Sequence, residues 1–314
     1  MREQTVLGPF AGFGPTNPLI MSAAGLCKTF SIDQISPVAA AADMVVIGSI
    51  TLDERAGNTG TCEYFDNPLY GVNAWGMPNW GSGRGPGDDH GQPSAVYAGW
   101  VKSGKVIVSI ADFSPLKYSA LFYRTRGWGN GIELNFGCPN VRDDGGQHPI
   151  VSFDPLRMAG ILDLIEAAKR DDGPRTFTGV KLSPYSDPGL LKEVAAVIAE
   201  SGTVDYVATT NTFPNGRVYT PKLHSGVNTT QAGPNGGISG EALKPISLSN
   251  AAQFREALPP TVAVIRVGGI STGQDVWESY DVGCSGVQVM TAIVKHGPTV
   301  LTKIREEYAE IVAG

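Results

Sequence analysis

Eight short apolar runs, each followed by a stretch of helical period, constrain this chain more than any other feature. The runs are Pro18–Ser22, Met44–Ser49, Lys105–Ala111, Ile132–Phe136, Phe177–Leu182, Asp205–Thr209, Val262–Val267 and Gly286–Met290. They are rich in Val and Ile and continuous rather than alternating, the mark of parallel strands buried on both faces. Between them, Asp154-Pro155 opens a helix with an N-cap carboxylate and a proline in the first turn. Met158, Ile161, Leu162 and Ile165 then fall on one face. Asp187-Pro188 repeats the device before Leu190, Leu191, Val194 and Ile198. Gly297-Pro298 opens the last helix, with Leu301, Ile304, Tyr308 and Ile311 along one side. Further helices are predicted at about 32–42, 93–103, 115–127, 245–257 and 272–281, the first interrupted by Pro37.

Strand–helix alternation repeated eight times predicts an α/β fold, a single (β/α)8 TIM barrel forming one domain over residues 1–314. An open doubly wound sheet is the competing arrangement. It usually carries a phosphate loop after its first strand, whereas the first run here ends Ala23-Ala24-Gly25 with no G-x-G-x-x-G. With 42% hydrophobic and 17% charged residues, the chain can fill one large core and is not disordered. Its 40 glycines follow no G-X-Y period, which excludes a collagen-like fibre. Two long excursions, roughly Asn73–Gln92 and Phe213–Asn235, read as lids or binding loops.

The net charge is −6 and Lys and Arg never cluster, so nucleic acid is not an expected partner. Met1–Thr5 lacks a signal-peptide pattern, and the apolar stretch Val38–Ile47 is broken by Asp43 and too short to span a bilayer. A cytoplasmic protein with no membrane partner is expected. Cys27, Cys62, Cys138 and Cys284 form no C-x-x-C, and His90, His148, His224 and His296 are scattered. Reduced thiols and no metal site are therefore expected.

In such barrels the chemistry sits at the C-terminal ends of the strands, and the unusual residues fall there. Gly268-Gly269 after the seventh run and Thr291 after the eighth read as a phosphate site, or else as simple chain turns. Cys138, flanked by Asn135 and Asn140, is a nucleophile, a base or an inert small hydrophobe; no Cys-His signature lies nearby. The two amides suit a planar polar ligand. Lys181 inside an apolar run either meets an anion or snorkels to the rim.

Together these residues resemble the dihydroorotate dehydrogenase family of FMN-dependent (β/α)8 barrels, from Asn17 to near Glu307. The most specific pieces are Glu133-Leu134-Asn135-Phe136-Gly137-Cys138-Pro139-Asn140, Gly179-Val180-Lys181-Leu182-Ser183-Pro184-Tyr185, Gly236-Gly237-Ile238-Ser239-Gly240 and Val267-Gly268-Gly269-Ile270-Ser271-Thr272-Gly273. Leu52 to Asn58 and Asn73-Ala74-Trp75-Gly76-Met77-Pro78-Asn79 also fit. The resemblance implies FMN at the C-terminal strand ends and Cys138 as the base, as in the soluble class. It implies a pyrimidine held by Asn73, Asn135, Asn140, Asn211 and Thr212, its carboxylate meeting the backbone of Trp75, Gly76 and Met77. Lys181 matches the lysine at the flavin N1/O2 edge. Gly240, Gly268, Gly269, Met290 and Thr291 match phosphate-side positions, and Ala24, Gly25, Ser49 and Asn135 match positions beside the ring.

The chain departs from the family at one informative place. Soluble members that it resembles carry a lysine where this chain has Gly48. Lys28, closing Ala23-Ala24-Gly25-Leu26-Cys27-Lys28, is placed instead like the lysine of the membrane-bound class, whose N-terminal helices the sequence lacks. Trp75 and the loop Trp80–Gln92 are also unusual. The implied reaction is oxidation of a dihydropyrimidine, most simply (S)-dihydroorotate to orotate. Cys138 takes a proton, hydride passes to flavin N5, and Lys28 helps to bind an acidic substrate. The alternatives are a related flavin reductase or dehydrogenase acting on a different unsaturated cyclic amide or acid, a barrel binding a phosphorylated metabolite for lyase or isomerase chemistry, and a non-catalytic flavin subunit. Expected partners are the small-molecule substrate, a second copy in a homodimer, and an electron-transfer partner. Fumarate, NAD through a partner subunit and a quinone all suit the role of oxidant.

Overall fold

In the computed structural model, which describes residues 8–86, 94–143, 146–170, 176–222 and 224–314, the eight apolar runs close into a barrel. The strands are β1 (Ile20–Cys27), β2 (Met44–Ile50), β3 (Val106–Ile110), β4 (Gly131–Asn135), β5 (Thr178–Leu182), β6 (Tyr206–Thr209), β7 (Ala263–Val267) and β8 (Gly286–Val289). Each pairs in parallel with its sequence neighbours, and β8 pairs with β1 to complete the ring. The helices are α1 (Ile32–Ala41), α2 (Ala95–Lys102), α3 (Pro115–Thr125), α4 (Pro155–Arg170), α5 (Pro188–Ser201), α6 (Lys244–Ala257), α7 (Gly273–Asp281), α8 (Thr291–His296) and α9 (Val300–Ala313). The (β/α)8 barrel is the observed architecture, and the open sheet is not. Among the described residues no helix is long and apolar enough to cross a membrane. Met1–Thr5, His90 and the 87–92 part of the predicted loop lie outside the described residues.

Both faces of the strands are buried, so side-chain parity decides which layer each residue joins. Met21, Val46, Ile107, Ala208 and Ile265 point into the barrel. Ile20, Val45, Val106, Val108, Val207 and Val264 pack under the helices. Phe10 closes the N-terminal end, its ring centroid 4.9 Å from Phe177 and 5.0 Å from Tyr206. Gly179 leaves room for that cluster: a Cβ there would lie 2.0 Å from the Tyr206 ring. Gly179→Ala is therefore expected to destabilise the fold by about 1–3 kcal/mol, the usual cost of overfilling a packed core. Urea unfolding reads this as a lower midpoint at unchanged slope; an unchanged midpoint would mean the ring has space to move.

Two boundaries differ from the sequence expectation. β1 runs five residues past Ser22, because pairing with β2 resumes at Cys27 beyond an irregularity in the register; this carries Lys28 to the rim. The segment after β8 forms a separate short helix, α8, which Gly297 ends in a left-handed turn, so the last helix begins at Val300 rather than at Gly297-Pro298. α1 forms where predicted and continues through Pro37, its sixth residue, at the loss of a single ladder donor. The two excursions are not free loops. Strands Phe213–Gly216, Gly236–Ser239, Gly71–Asn73 and Glu63–Tyr64 pair antiparallel in that order, joining the segments that leave β2 and β6.

Candidate active site

The C-terminal strand ends open onto two adjoining clefts of about 800 and 620 Å3. Ala24, Asn73, Lys181, Asn211, Thr212 and Met290 line both and so form their border. Gly240, Gly268, Gly269 and Thr291 line the larger cleft. Gly25, Lys28, Ser49, Trp75, Gly76, Met77, Asn135, Cys138 and Asn140 line the smaller. The barrel thus brings together every site residue predicted from the sequence.

The amides are oriented by one another. Asn135 Nδ2 donates to Ser49 Oγ at 2.8 Å, and Asn135 Oδ1 accepts from Asn211 Nδ2 at 3.1 Å. Asn140 Nδ2 donates to Asn73 Oδ1 at 3.0 Å. Among the described residues this leaves Asn73 Nδ2 and Asn140 Oδ1 unspent, one donor and one acceptor on the cleft wall. Thr212 Oγ1 is buried without a partner there as well. Buried polar atoms left open are costly unless a ligand completes them.

Lys181 does not snorkel. It is 4% exposed and reaches inward, donating to Gln288 Oε1 at 3.3 Å; Gln288 Nε2 in turn donates to Glu133 Oε2 at 2.7 Å. Tyr206 OH donates to the same carboxylate oxygen at 3.1 Å. Burial pushes the Lys181 ammonium below the ordinary lysine range, and the Glu133 charge opposes that shift. Burial also raises the Cys138 thiol, against the pull of a backbone hydrogen bond at Asn140 and the positive charges of Arg55 and Lys181.

Sequence reasoning assigned no site role to Arg55, Glu133 and Gln288. Arg55 Nε donates to Gly76 O at 3.4 Å, holding the strap that carries Trp75 to Met77. Glu133 and Gln288 had a visible signal: each is a polar residue inside an apolar run. Lys295, which lines the larger cleft and donates to the carbonyls of Asn67, Pro68 and Tyr70, had none.

Lys28 and Gly48, the two departures, line the same cleft. Gly48 has φ +111°, and a Cβ there would lie 2.5 Å from Ser109 O, so this backbone admits no side chain. The Lys28 ammonium stands 3.6 Å from the Trp75 ring centroid, a cation–π contact that pairs the two unusual residues with each other. Burial lowers the Lys28 pKa, offset by Glu63 and Cys62.

In the larger cleft, Gly268 and Gly269 have φ of +113° and +79°, a conformation open to glycine. Thr291 Oγ1 donates to Ser239 Oγ at 3.0 Å. All four cysteines are free, and among the described residues no cluster of three or more His, Cys, Asp or Glu could hold a metal.

Comparison with known proteins bears on this arrangement. A sequence profile of the family described as dihydroorotate dehydrogenase matches residues 9–312. Dihydroorotate dehydrogenase A (fumarate) of Lactococcus lactis subsp. cremoris is 29% identical over 316 residues, covering 96% of this chain and 93% of its own. Dihydroorotate dehydrogenase (fumarate) of Lachancea kluyveri is 30% identical over 304 residues, covering 94% and 90%. The crystal structure of the Eimeria tenella enzyme in complex with ferulenol has the same fold, with a TM-score of 0.75 at 19% identity over 98% of this chain and 84% of that one. With a profile match spanning all but the ends of the chain, and relatives alike over nearly their whole length, the chain belongs to the dihydroorotate dehydrogenase family.

Proposed function

We propose that this chain oxidises a dihydropyrimidine carboxylate, most simply (S)-dihydroorotate to orotate, with FMN in the larger cleft and Cys138 as the base. Family membership makes the chain a flavin-dependent oxidoreductase. One observation carries the finer reading: Cys138 shares its cleft with the asparagine set, and Lys181 stands on the border with the glycine cradle.

The residues fit a flavin mononucleotide. Gly240, Gly268 and Gly269 line the cleft with backbone held at positive φ, where a phosphate needs close approach, and Thr291 adds a hydroxyl. Ala24, Gly25, Ser49 and Met290 would flank the ring. Lys181 would place a buried cation at its polar edge, with Glu133 as the compensating charge. When bound, FMN supplies the acceptor for the hydride that leaves the substrate.

The chain's own groups do the rest. Asn73 Nδ2 and Asn140 Oδ1 match a ring that carries both carbonyl and N–H edges. The backbone of Trp75, Gly76 and Met77, with Lys28 beside it, takes the carboxylate. Cys138 Sγ removes the proton alpha to the ring carbonyl, and amide donors on that carbonyl stabilise the enolate that develops. A second reading, the same chemistry on another unsaturated cyclic amide or acid, is favoured by the Lys28–Trp75 pair in place of a lysine at position 48.

Purified protein is expected to absorb near ~450 nm, as oxidised flavins do, and to bleach on anaerobic addition of dihydroorotate. Protein that stays colourless after incubation with FMN would overturn the cofactor. Yellow protein bleached by dihydrouracil or another acid, and not by dihydroorotate, would replace the substrate.

A further inference from the structure

Among the described residues, Arg266 is the largest fully buried side chain. It lies in β7, on the face that packs against the helices, where Val264 and its neighbours on other strands are aliphatic. An arginine in such a layer is costly unless its donors are used. Here they are used mainly on neutral acceptors. Nη1 donates to Asp275 O at 3.1 Å and Ser279 Oγ at 3.3 Å, and Nη2 donates to Lys244 O at 3.1 Å. Nε donates to Ser247 Oγ at 3.1 Å, while the Glu278 carboxylate stands 3.9 Å from Nη1.

The Nε bond has a consequence two residues further along the chain. Occupied as an acceptor by Arg266, the Ser247 hydroxyl has two carbonyls within reach, Gly268 O at 2.7 Å and Lys244 O at 3.2 Å, and donates to the nearer, Gly268 O. The Gly268–Gly269 peptide is trans, so its carbonyl and its N–H point in opposite directions. Tying the carbonyl to the α6 side turns Gly269 N–H to the other side, where Gly268 and Gly269 line the larger cleft. Gly269 is buried, and among the described residues nothing accepts from its N–H. A chain of donors that starts from a cation also polarises this peptide, making the N–H a stronger donor.

We propose that Arg266 is a positioning residue for the flavin phosphate: through Ser247 it locks the Gly268–Gly269 peptide with its N–H presented to a phosphoryl oxygen. This inference rests on the FMN reading above. It separates from a purely structural role, in which Arg266 merely bolts α6 and α7 to the sheet, because riboflavin has the same ring and lacks the phosphate.

The test uses the full-length protein freed of flavin and titrated with FMN or riboflavin, followed by flavin fluorescence. Ser247→Ala is expected to weaken FMN about tenfold, the loss of one polarised hydrogen bond, with riboflavin changed by less than about twofold. Arg266→Lys, which keeps the charge and loses the fork, is expected to do the same. Should Arg266→Lys fail to fold, Ser247→Ala decides, since it leaves the buried guanidinium its other acceptors. Unchanged affinities, or FMN and riboflavin falling together, would overturn the inference while leaving the FMN reading intact. Wild-type protein that binds neither ligand would overturn both.

Discussion

Replacing Cys138 with alanine is expected to slow anaerobic reduction of the bound flavin by dihydroorotate about 100-fold or more, the usual range for loss of a general base. The flavin itself should be retained, because Cys138 lines the smaller cleft and not the glycine cradle. The wild-type rate should also depend on pH in a definite sense. Only the thiolate accepts a proton, and burial raises the Cys138 thiol above its ordinary value. The thiolate fraction is then small at neutrality and grows as pH rises. The rate should climb with pH and level off above the usual thiol range of about 8.5. Cys138→Ser, whose hydroxyl is a weaker acid still, should keep a small part of the rate and show no plateau. A wild-type rate in Cys138→Ala, by stopped-flow at 450 nm or so, would remove the assignment. A rate that falls with rising pH would mean that the thiol is not the group losing its proton.

The second large effect is expected at Lys28. Lys28→Ala should weaken binding of orotate about 10- to 100-fold with little change in flavin content. A charge-assisted hydrogen bond is worth roughly 1.5–3 kcal/mol, and each ~1.4 kcal/mol is tenfold. The side chain is held in place, its ammonium resting on the Trp75 ring at the cleft wall. Trp75→Leu should accordingly weaken orotate in the same direction by a smaller factor, because the lysine remains but its platform is lost. Titration followed through the flavin spectrum measures all three proteins. Equal affinity in wild type and Lys28→Ala would refute the role. No spectral response to orotate in any of them would favour the alternative substrate.

Much of the site was legible because barrel chemistry collects at strand ends, and strand ends can be read from where an apolar run gives way to Gly, Asn, Ser or Lys. Asn135 to Asn140, Gly268-Gly269 and Met290-Thr291 were found in that way. What could not be read was which of these ends meet. The Asn73–Asn140 and Asn135–Ser49 contacts join residues 67 and 86 positions apart. The side of a strand on which a residue emerges was equally hidden. Arg266 and Lys181 both interrupt apolar runs, yet Lys181 points into the barrel and Arg266 away from it.

The sequence by itself determined the eight strand–helix units, the barrel they close into and the end that bears the chemistry. Burial of a continuous apolar strand on both faces leaves little other choice, and local signals such as Asp-Pro helix starts are read within a few residues. Only the tertiary structure decided that Gly48 admits no side chain, that Lys28 settles on Trp75, that Lys181 shares a buried chain of hydrogen bonds with Glu133, and that Ser247 reaches Gly268 from a neighbouring helix. Those outcomes depend on strand register and on parity across the barrel wall. A shift of one residue in either would send each side chain to the opposite layer.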